Sequence, residues 1–579
     1  MKKLGGIALL VVTCLTGLTV PANAGNDTSW IPTDVNYSEP TVHSFAFTDK
    51  LPLPQEHSVL IGYVNPNSVV CKSTSDPACS GSTEFTYASV LKVCTTSSDT
   101  DCISQVNAID ANGNSSPATF TQYTVDNHLN AFPADPKLGI PQGSMPSIWS
   151  IPGAPHASGS DYAVFAGISG AVDQYGRENS SGGTMQLALI PVVLKDFGKG
   201  HQSISTGWSQ AIPGIYYDYC ATSQESGKAT YPDCSHANGE SCLFSTVNQG
   251  MCYAEEPFGT VQKFNVQLRL SKEPTGWMHG RMVDPSISIS KIPSGGVNLS
   301  VTAGISRVPM VYQTGPWASL PAKIQDLWVT CNQDPERCGP YWLARSPGAI
   351  SDYNQLDTTL SGNAGINMIR YINAFGQLPL EIMSSIAPLI GDKSQAMSST
   401  WSVRTLTSAE MNGATKCFTS TPGIKGIVTT NSTTYSAGPP AFTDGSLNYK
   451  VASPHYEPDG TTPFKGNYNL VMRSDVARCI YGFSKAPISA TISVTGGDGT
   501  AEVATTVVGE SDGWLHLAAN NFEFSSPTIQ VKLTQAGATT RKTTSAKTIN
   551  CVKGKITKTV TTATCPTGYK KKIVVPLNR

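Results

Sequence analysis

Two short segments carry residue types suited to chemistry. Gly509-Glu510-Ser511-Asp512-Gly513 matches the G-x-S-x-G nucleophile elbow, in which a strand-to-helix turn lifts a serine beside an oxyanion hole. Here the β-branched run Thr505-Thr506-Val507-Val508 precedes it and Trp514-Leu515-His516-Leu517 follows. Strands on both sides make Ser511-Asp512-Gly513 a hairpin turn rather than an elbow. The second segment, Gly276-Trp277-Met278-His279-Gly280-Arg281, offers an aromatic ring, an imidazole and a guanidinium fork, a set that can stack a sugar and hydrogen-bond its hydroxyls. Trp277, His279 and Arg281 are the candidate carbohydrate-binding residues, set against the plainer expectation of a strand turn whose Trp anchors the core.

Other apparent motifs lack the chemistry they suggest. Asp110-Ala111-Asn112-Gly113-Asn114 starts like a calcium loop, but Ser115 stands where the sixth-position glycine belongs and Thr121 where the bidentate Glu belongs. An Asn-Gly turn explains it better. Glu255 and Glu256 are adjacent, so in an extended strand their carboxylates point apart and form no glycosidase pair. Cys220, Cys234, Cys242 and Cys252 lack the close pairing of zinc ligands and read as two disulfides. With no P-loop, dinucleotide fingerprint or H-E-x-x-H, no metal or cofactor is expected, and catalytic residues are assigned to none.

The elements that must position these residues are mostly strands. Gly (52) and Pro (39) are abundant and only 14% of residues are charged, a composition that favours short strands joined by turns. Lys2-Lys3, an apolar stretch from Leu4 to about Val20 and Ala22-Asn23-Ala24 have the order of a secretory signal cleaved after Ala24. No later apolar run reaches the roughly 18 residues that cross a bilayer, so no transmembrane helix is expected after cleavage. The expected organisation is a signal peptide at 1–24, an N-terminal β-rich domain at 25–215, a Cys-rich loop region with strands at 216–321, a helical insertion at 322–400, a C-terminal β-sandwich at 401–540 and a basic tail at 541–579.

Within that organisation, strands are predicted over 58–63, 85–93, 118–125, 161–168, 185–194, 261–270, 285–292 and 297–311, and again over 488–494, 501–508, 514–518 and 528–533. Ile366, Ile369, Ile372 and Phe375 recur at helical spacing, Pro379 can open a second helix, and Ile382, Ile386 and Leu389 continue its apolar stripe. The fold class is therefore mainly β, as antiparallel sandwich modules with a helical insertion, stapled by disulfides. Cys71 with Cys79 and Cys94 with Cys102 are spaced to staple local loops, and Cys331 with Cys338 lies just before the helices. Cys417 and Cys479 are expected to link two strands or sheets, and Cys551 with Cys565 to close the tail.

The formal net charge of −1 hides a segregation. Residues 541–579 hold ten Lys or Arg and no acid; setting those and Lys2 and Lys3 aside leaves 28 basic against 41 acidic residues in 25–540. Such a tail suits an anionic envelope polymer, bound through Lys553, Lys555, Lys558, Lys570, Lys571 and Lys572. No nucleic-acid motif accompanies it.

The segment Thr548-Ile549-Asn550-Cys551-Val552-Lys553-Gly554-Lys555 through Cys565-Pro566-Thr567-Gly568-Tyr569-Lys570 resembles a short module that ends many secreted or surface proteins of actinobacteria, usually after unrelated domains. Residues 276–284 and 473–483 also look like segments of large uncharacterised secreted actinobacterial proteins, a resemblance that carries no activity. The expectation is a secreted, cell-surface or wall-associated structural or binding protein without catalysis. The alternatives are a secreted glycosidase-like enzyme on polysaccharide and a carbohydrate-binding adhesin.

Overall fold

The computed structural model describes residues 58–196, 251–326 and 370–535 apart from short interruptions, with shorter pieces at 23–24, 42–48 and 242–245 and within 549–571. The chain is mainly β, and three disulfides tie described residues together: Cys71–Cys79, Cys94–Cys102 and Cys417–Cys479. The first two close loops of eight residues' separation, while the third spans 62 and joins two short helices, Lys416–Thr419 and Ser474–Tyr481, in place of the strands expected there. Helix–helix stapling is the finding because Ser474 follows directly on a strand that ends at Arg473 and turns helical over an apolar pair, Val476 and Ala477. Cys252 and Cys565 are also disulfide-bonded. The expected staples at Cys220, Cys234, Cys331 and Cys338 lie outside the described residues, as do the side chains of Cys242 and Cys551.

One long sheet dominates. From its first edge it runs through strands Asn67–Val70, Val59–Val64, Glu84–Val90, Asp161–Asp173, Thr184–Asp196 and Ala396–Thr405. It continues through Gly276–Lys291, Ile424–Thr430, Lys465–Arg473, Trp514–Glu523 and Thr505–Ser511. Nearly every neighbour is antiparallel; Gly276–Lys291 beside Ile424–Thr430 is parallel. The strand Gly276–Lys291 is long enough to serve two sheets. Its first half lies in the long sheet, and its second half pairs with Val297–Met310, which pairs in turn with Lys263–Leu270 and through it with Cys102–Ile109. A further sheet orders Thr434–Tyr435, Ser446–Ala452, Thr528–Gln535, Ile488–Thr495 and Ala501–Glu502.

Period-two alternation decides what each sheet covers, because successive side chains in a strand point to opposite faces. Met278, Ile427, Val471 and Trp514 join a core shared with Val266, Leu268, Leu299 and Val301 of the second sheet. Their chain neighbours Trp277, Val428, Leu470 and Leu515 join a different core with Tyr449, Val451, Ile529 and Val531 of the third. The long sheet is thus the middle layer of two sandwiches. Strands buried on both faces favour apolar residues; Ile424–Thr430 is buried at every position and still carries Lys425, Thr429 and Thr430. Gly426 fits here for lack of a Cβ, which would lie 2.5 Å from the Trp277 ring and 2.7 Å from the Val471 carbonyl oxygen.

The helical region also departs from its expected periodicity. Ile372 sits in a strand, Arg370–Asn373, paired in parallel with Val42–Thr48, so its helical spacing to Phe375 is coincidental. The helix with Pro379 near its start is Gln377–Ile386, followed by a tighter turn over Ala387–Ile390. Ile382 and Ile386 are buried against Val311 and Ile324. Leu389 is exposed, because the change from α to 3₁₀ geometry rotates it off the stripe.

Ile427 and Leu470 lie on adjacent strands and face opposite cores. Ile427→Ala and Leu470→Ala are each expected to destabilise by about 2–5 kcal/mol, and in urea unfolding both will move one common transition. Two separable transitions, each sensitive to only one substitution, would show that the middle layer is not shared.

Candidate functional site

The first half of Gly276–Lys291 places Trp277, His279 and Arg281 on one side of the long sheet, with Met278 and Met282 on the other. The three candidate sugar-binding side chains are therefore brought together, but inside the protein: Trp277 is 0% exposed, His279 2% and Arg281 1%. A sugar cannot stack on a ring that has no free face, so their assignment to carbohydrate binding is corrected. The expectation of a core Trp matches its position, although the segment is continuous strand and not a turn.

Each side chain has a specific setting. Trp277 meets Phe418 edge to face with ring centroids 4.8 Å apart. The imidazole of His279 lies flat on Tyr435, centroids 4.0 Å apart and planes 2° from parallel. Neither ring nitrogen has a hydrogen-bond partner among the described residues. Arg281 Nη1 donates to the carbonyl oxygens of Thr430 (2.8 Å) and Ser432 (2.7 Å), and its guanidinium sits 4.5 Å from the Tyr435 ring centre. Those carbonyls are available because residues 430–434 leave the strand in a buried, hydroxyl-rich turn. Within it, Ser432 Oγ donates to the Thr434 carbonyl, Thr433 Oγ1 to the Pro309 carbonyl, and Asn431 Nδ2 to the Lys465 carbonyl.

Two buried neighbours of this cluster carry no sequence signature. Arg404, on the strand Ala396–Thr405, makes a bidentate pair with Glu410, both contacts 2.6 Å, and its guanidinium lies 5.0 Å from the Phe375 ring centre. Both partners are buried, so the pair is a desolvated ion pair that stands or falls as a unit. The sole available signal was an Arg within a strand whose other positions are suited to burial, and that pattern does not reveal the partner six residues on.

Electrostatically the cluster holds His279 neutral. Burial pushes its imidazole well below the ordinary value of 6.5, and the positive charges of Arg281 and Arg404 push the same way. Burial likewise drives the nearby Tyr449 hydroxyl well above its ordinary range. Among the described residues the neutral imidazole has no hydrogen-bond partner, and the Glu410 carboxylate is clamped by the Arg404 guanidinium. What the arrangement does is fix the packing of three strands and a turn.

The remaining motifs are turns and pairs. Asp512 and Gly513 have φ of 51° and 80°, and Ser511 pairs with Trp514, the geometry of a two-residue hairpin. Asp110 spends its carboxylate on its own turn: Oδ1 accepts from the backbone N–H of Asn112 and Asn114, and Oδ2 from Asn114 Nδ2. Those bonds, led by the Asn114 side chain, hold it below the usual carboxylate range. Glu256 pairs with Lys195 at 3.4 Å. No group of three or more metal-ligating side chains occurs among the described residues.

In the tail, Ile549–Lys553 pairs with Ile556–Val560 and with Lys570–Lys571, setting Cys551 opposite Lys558 and Lys571. Lys553 and Lys570 are exposed. Lys558 and Lys571 lie in strands, and Lys555 and Lys572 fall outside the described residues. No protein-family model and no curated protein matches the chain.

Two outcomes follow from the buried cluster. Arg404→Met leaves Glu410 buried without its counter-charge and is expected to cost about 3–5 kcal/mol in denaturant unfolding, whereas Arg404→Met with Glu410→Leu recovers most of that loss; equal losses would show the pair is not coupled. Because the folded state depresses the His279 pKa, the unfolded chain binds the extra proton, so this contribution is intact above pH 6.5 and is lost as pH falls below it. Between pH 6.5 and 5 the protein is expected to lose up to about 1.4 kcal/mol per pH unit more than His279→Phe, which keeps the stack on Tyr435. Parallel pH profiles would contradict the assignment.

Proposed function

We propose that this chain is a noncatalytic structural or binding protein of an extracellular surface, held to an anionic envelope polymer by its basic tail. Carrying this reading is the segregation of charge: ten cationic and no acidic residues in 541–579, beside a body with 13 more acids than bases, with Lys553 and Lys570 exposed on a small sheet. A sheet of short strands is marginal by itself, and the disulfide at Cys565 suits a tail that must keep its shape. The signal-like N-terminus and the disulfides fit an oxidising compartment. No helix among the described residues is long and apolar enough to cross a membrane, and attachment through charge needs none. The resemblance of the tail to a module of actinobacterial surface proteins agrees with this.

Electrostatic attachment weakens as salt shortens the screening length from about 8 Å at physiological ionic strength to about 3 Å at 1 M. Full-length protein on cell-wall preparations is expected to elute progressively over that range, while a chain lacking 541–579 stays in the supernatant at low salt. Equal retention of both chains across the titration would remove the tail from the mechanism.

A further inference from the structure

The second sheet has an outer face made of uncharged polar side chains. In the strands 102–109, 263–270, 297–310 and 276–291, the inward positions Val106, Val266, Val301 and Ile287 build a core, and the alternate positions face away from it. Register aligns those alternate positions into rows. One row runs Gln105, Gln267, Ser300, Ser288, and the next Asn107, Asn265, Thr302, Ser286. Every member is an uncharged amide or hydroxyl. With strands about 4.8 Å apart, each row is roughly 14 Å long, and residues two apart on a strand set the rows nearly 7 Å from each other.

The array is pre-set. Gln105 Nε2 donates to Asn107 Oδ1 (3.1 Å), while Asn107 Nδ2 (3.2 Å) and Gln267 Nε2 (3.1 Å) donate to Asn265 Oδ1. Asn265 Nδ2 reaches the hydroxyls of Ser300 (2.7 Å) and Thr302 (2.8 Å). Asn107 and Asn265 are buried in this network; Gln105, Ser286 and Ser288 are exposed above it, and Gln267, Ser300 and Thr302 are half-buried. For Asn107, Asn265 and Gln267 these bonds restrict the rotamers that a ligand would otherwise have to order.

We infer that this face binds a neutral, polyhydroxylated glycan chain lying across the strands. Charge complementarity selects that partner. The rows contain no cation for an anionic polymer; at their rim Lys263 pairs with Asp284, and Arg269 donates to the Thr96 carbonyl at 2.6 Å. A protein partner would want an aromatic or apolar centre, which the rows lack. Sugar hydroxyls, each both donor and acceptor, match amides and hydroxyls that are the same.

Affinity electrophoresis of the full-length protein through gels containing soluble neutral β-glucan, mannan or galactan, with polygalacturonate as the anionic arm, tests this. At least one neutral polysaccharide is expected to retard the protein, equally at low and high salt. Ser288→Glu and, separately, Ser286→Glu are expected to weaken that retardation by about tenfold, the worth of one or two hydrogen bonds, with unchanged thermal melting; Ser75→Glu, an exposed site elsewhere, leaves it intact. The inference is overturned if no neutral polysaccharide retards the protein, if retardation survives both row variants, or if the row variants instead break a dimer that forms without glycan. Retardation by polygalacturonate alone, abolished by salt, would also overturn it while leaving tail attachment standing.

Discussion

Burying one sheet on both faces is the constraint from which the rest of the architecture follows. A strand with an exposed face can leave polar residues to water; in the strands through Ile427, Leu470 and Leu515 each step enters a different core, so polar side chains such as Asn469 and Thr429 must bond each other. The consequence is a three-layer arrangement over these strands, whose central residues are buried on both faces. Gly276–Lys291 makes that arrangement continuous: it begins in the middle layer and ends in the outer sheet, so both sandwiches are hung on one strand. Its sequence shows the transition directly. Trp277 to Met282 is buried at every position, and Ser286-Ile287-Ser288-Ile289-Ser290 then alternates polar out and apolar in.

A layer with no wet face must still hold the polar groups it contains. Arg281, Arg404, Glu410 and His279 lie in that position, and the structure answers each with a specific partner or ring. Two backbone carbonyls and a Tyr face carry the charge of Arg281, Glu410 carries that of Arg404, and His279 stays neutral. Replacing such a cluster by apolar residues is often neutral or stabilising in other proteins. Its value here is register: the guanidinium of Arg281 reaches the turn at 430–432 only if the parallel pairing of the two strands is correct.

The periphery follows a different logic. Short-range disulfides at Cys71–Cys79 and Cys94–Cys102 staple loops near the sheet ends, and Cys417–Cys479 fastens two helices too short to hold each other by packing alone. The outer face of the second sheet is uncharged and hydrogen-bonding, while the tail concentrates cations. Recognition by neutral contacts and retention by charge would then reside on separate elements, each free of the core's packing demands.

By itself the sequence determined the elements. Period-two alternation, turn residues and composition placed strands such as Asp161–Asp173, Val297–Met310 and Thr528–Gln535 and the mainly β class, and cysteine spacing marked the two local staples, because these signals depend on neighbours along the chain; Cys102–Ile109, Ala396–Thr405, Ile424–Thr430 and Lys465–Arg473 went unlocated. The Ser511-Asp512-Gly513 hairpin was legible for the same reason. What only the tertiary structure decided was which side of each strand is inside and what lies across it. Trp277, His279 and Arg281 look like a sugar platform until a third sheet covers them, and Ile372 looks helical until Val42–Thr48 pairs beside it. Arg404 with Glu410, and the rows through Asn107 and Asn265, exist only through contacts between strands far apart in sequence, and no local pattern encodes a partner that register alone brings within reach.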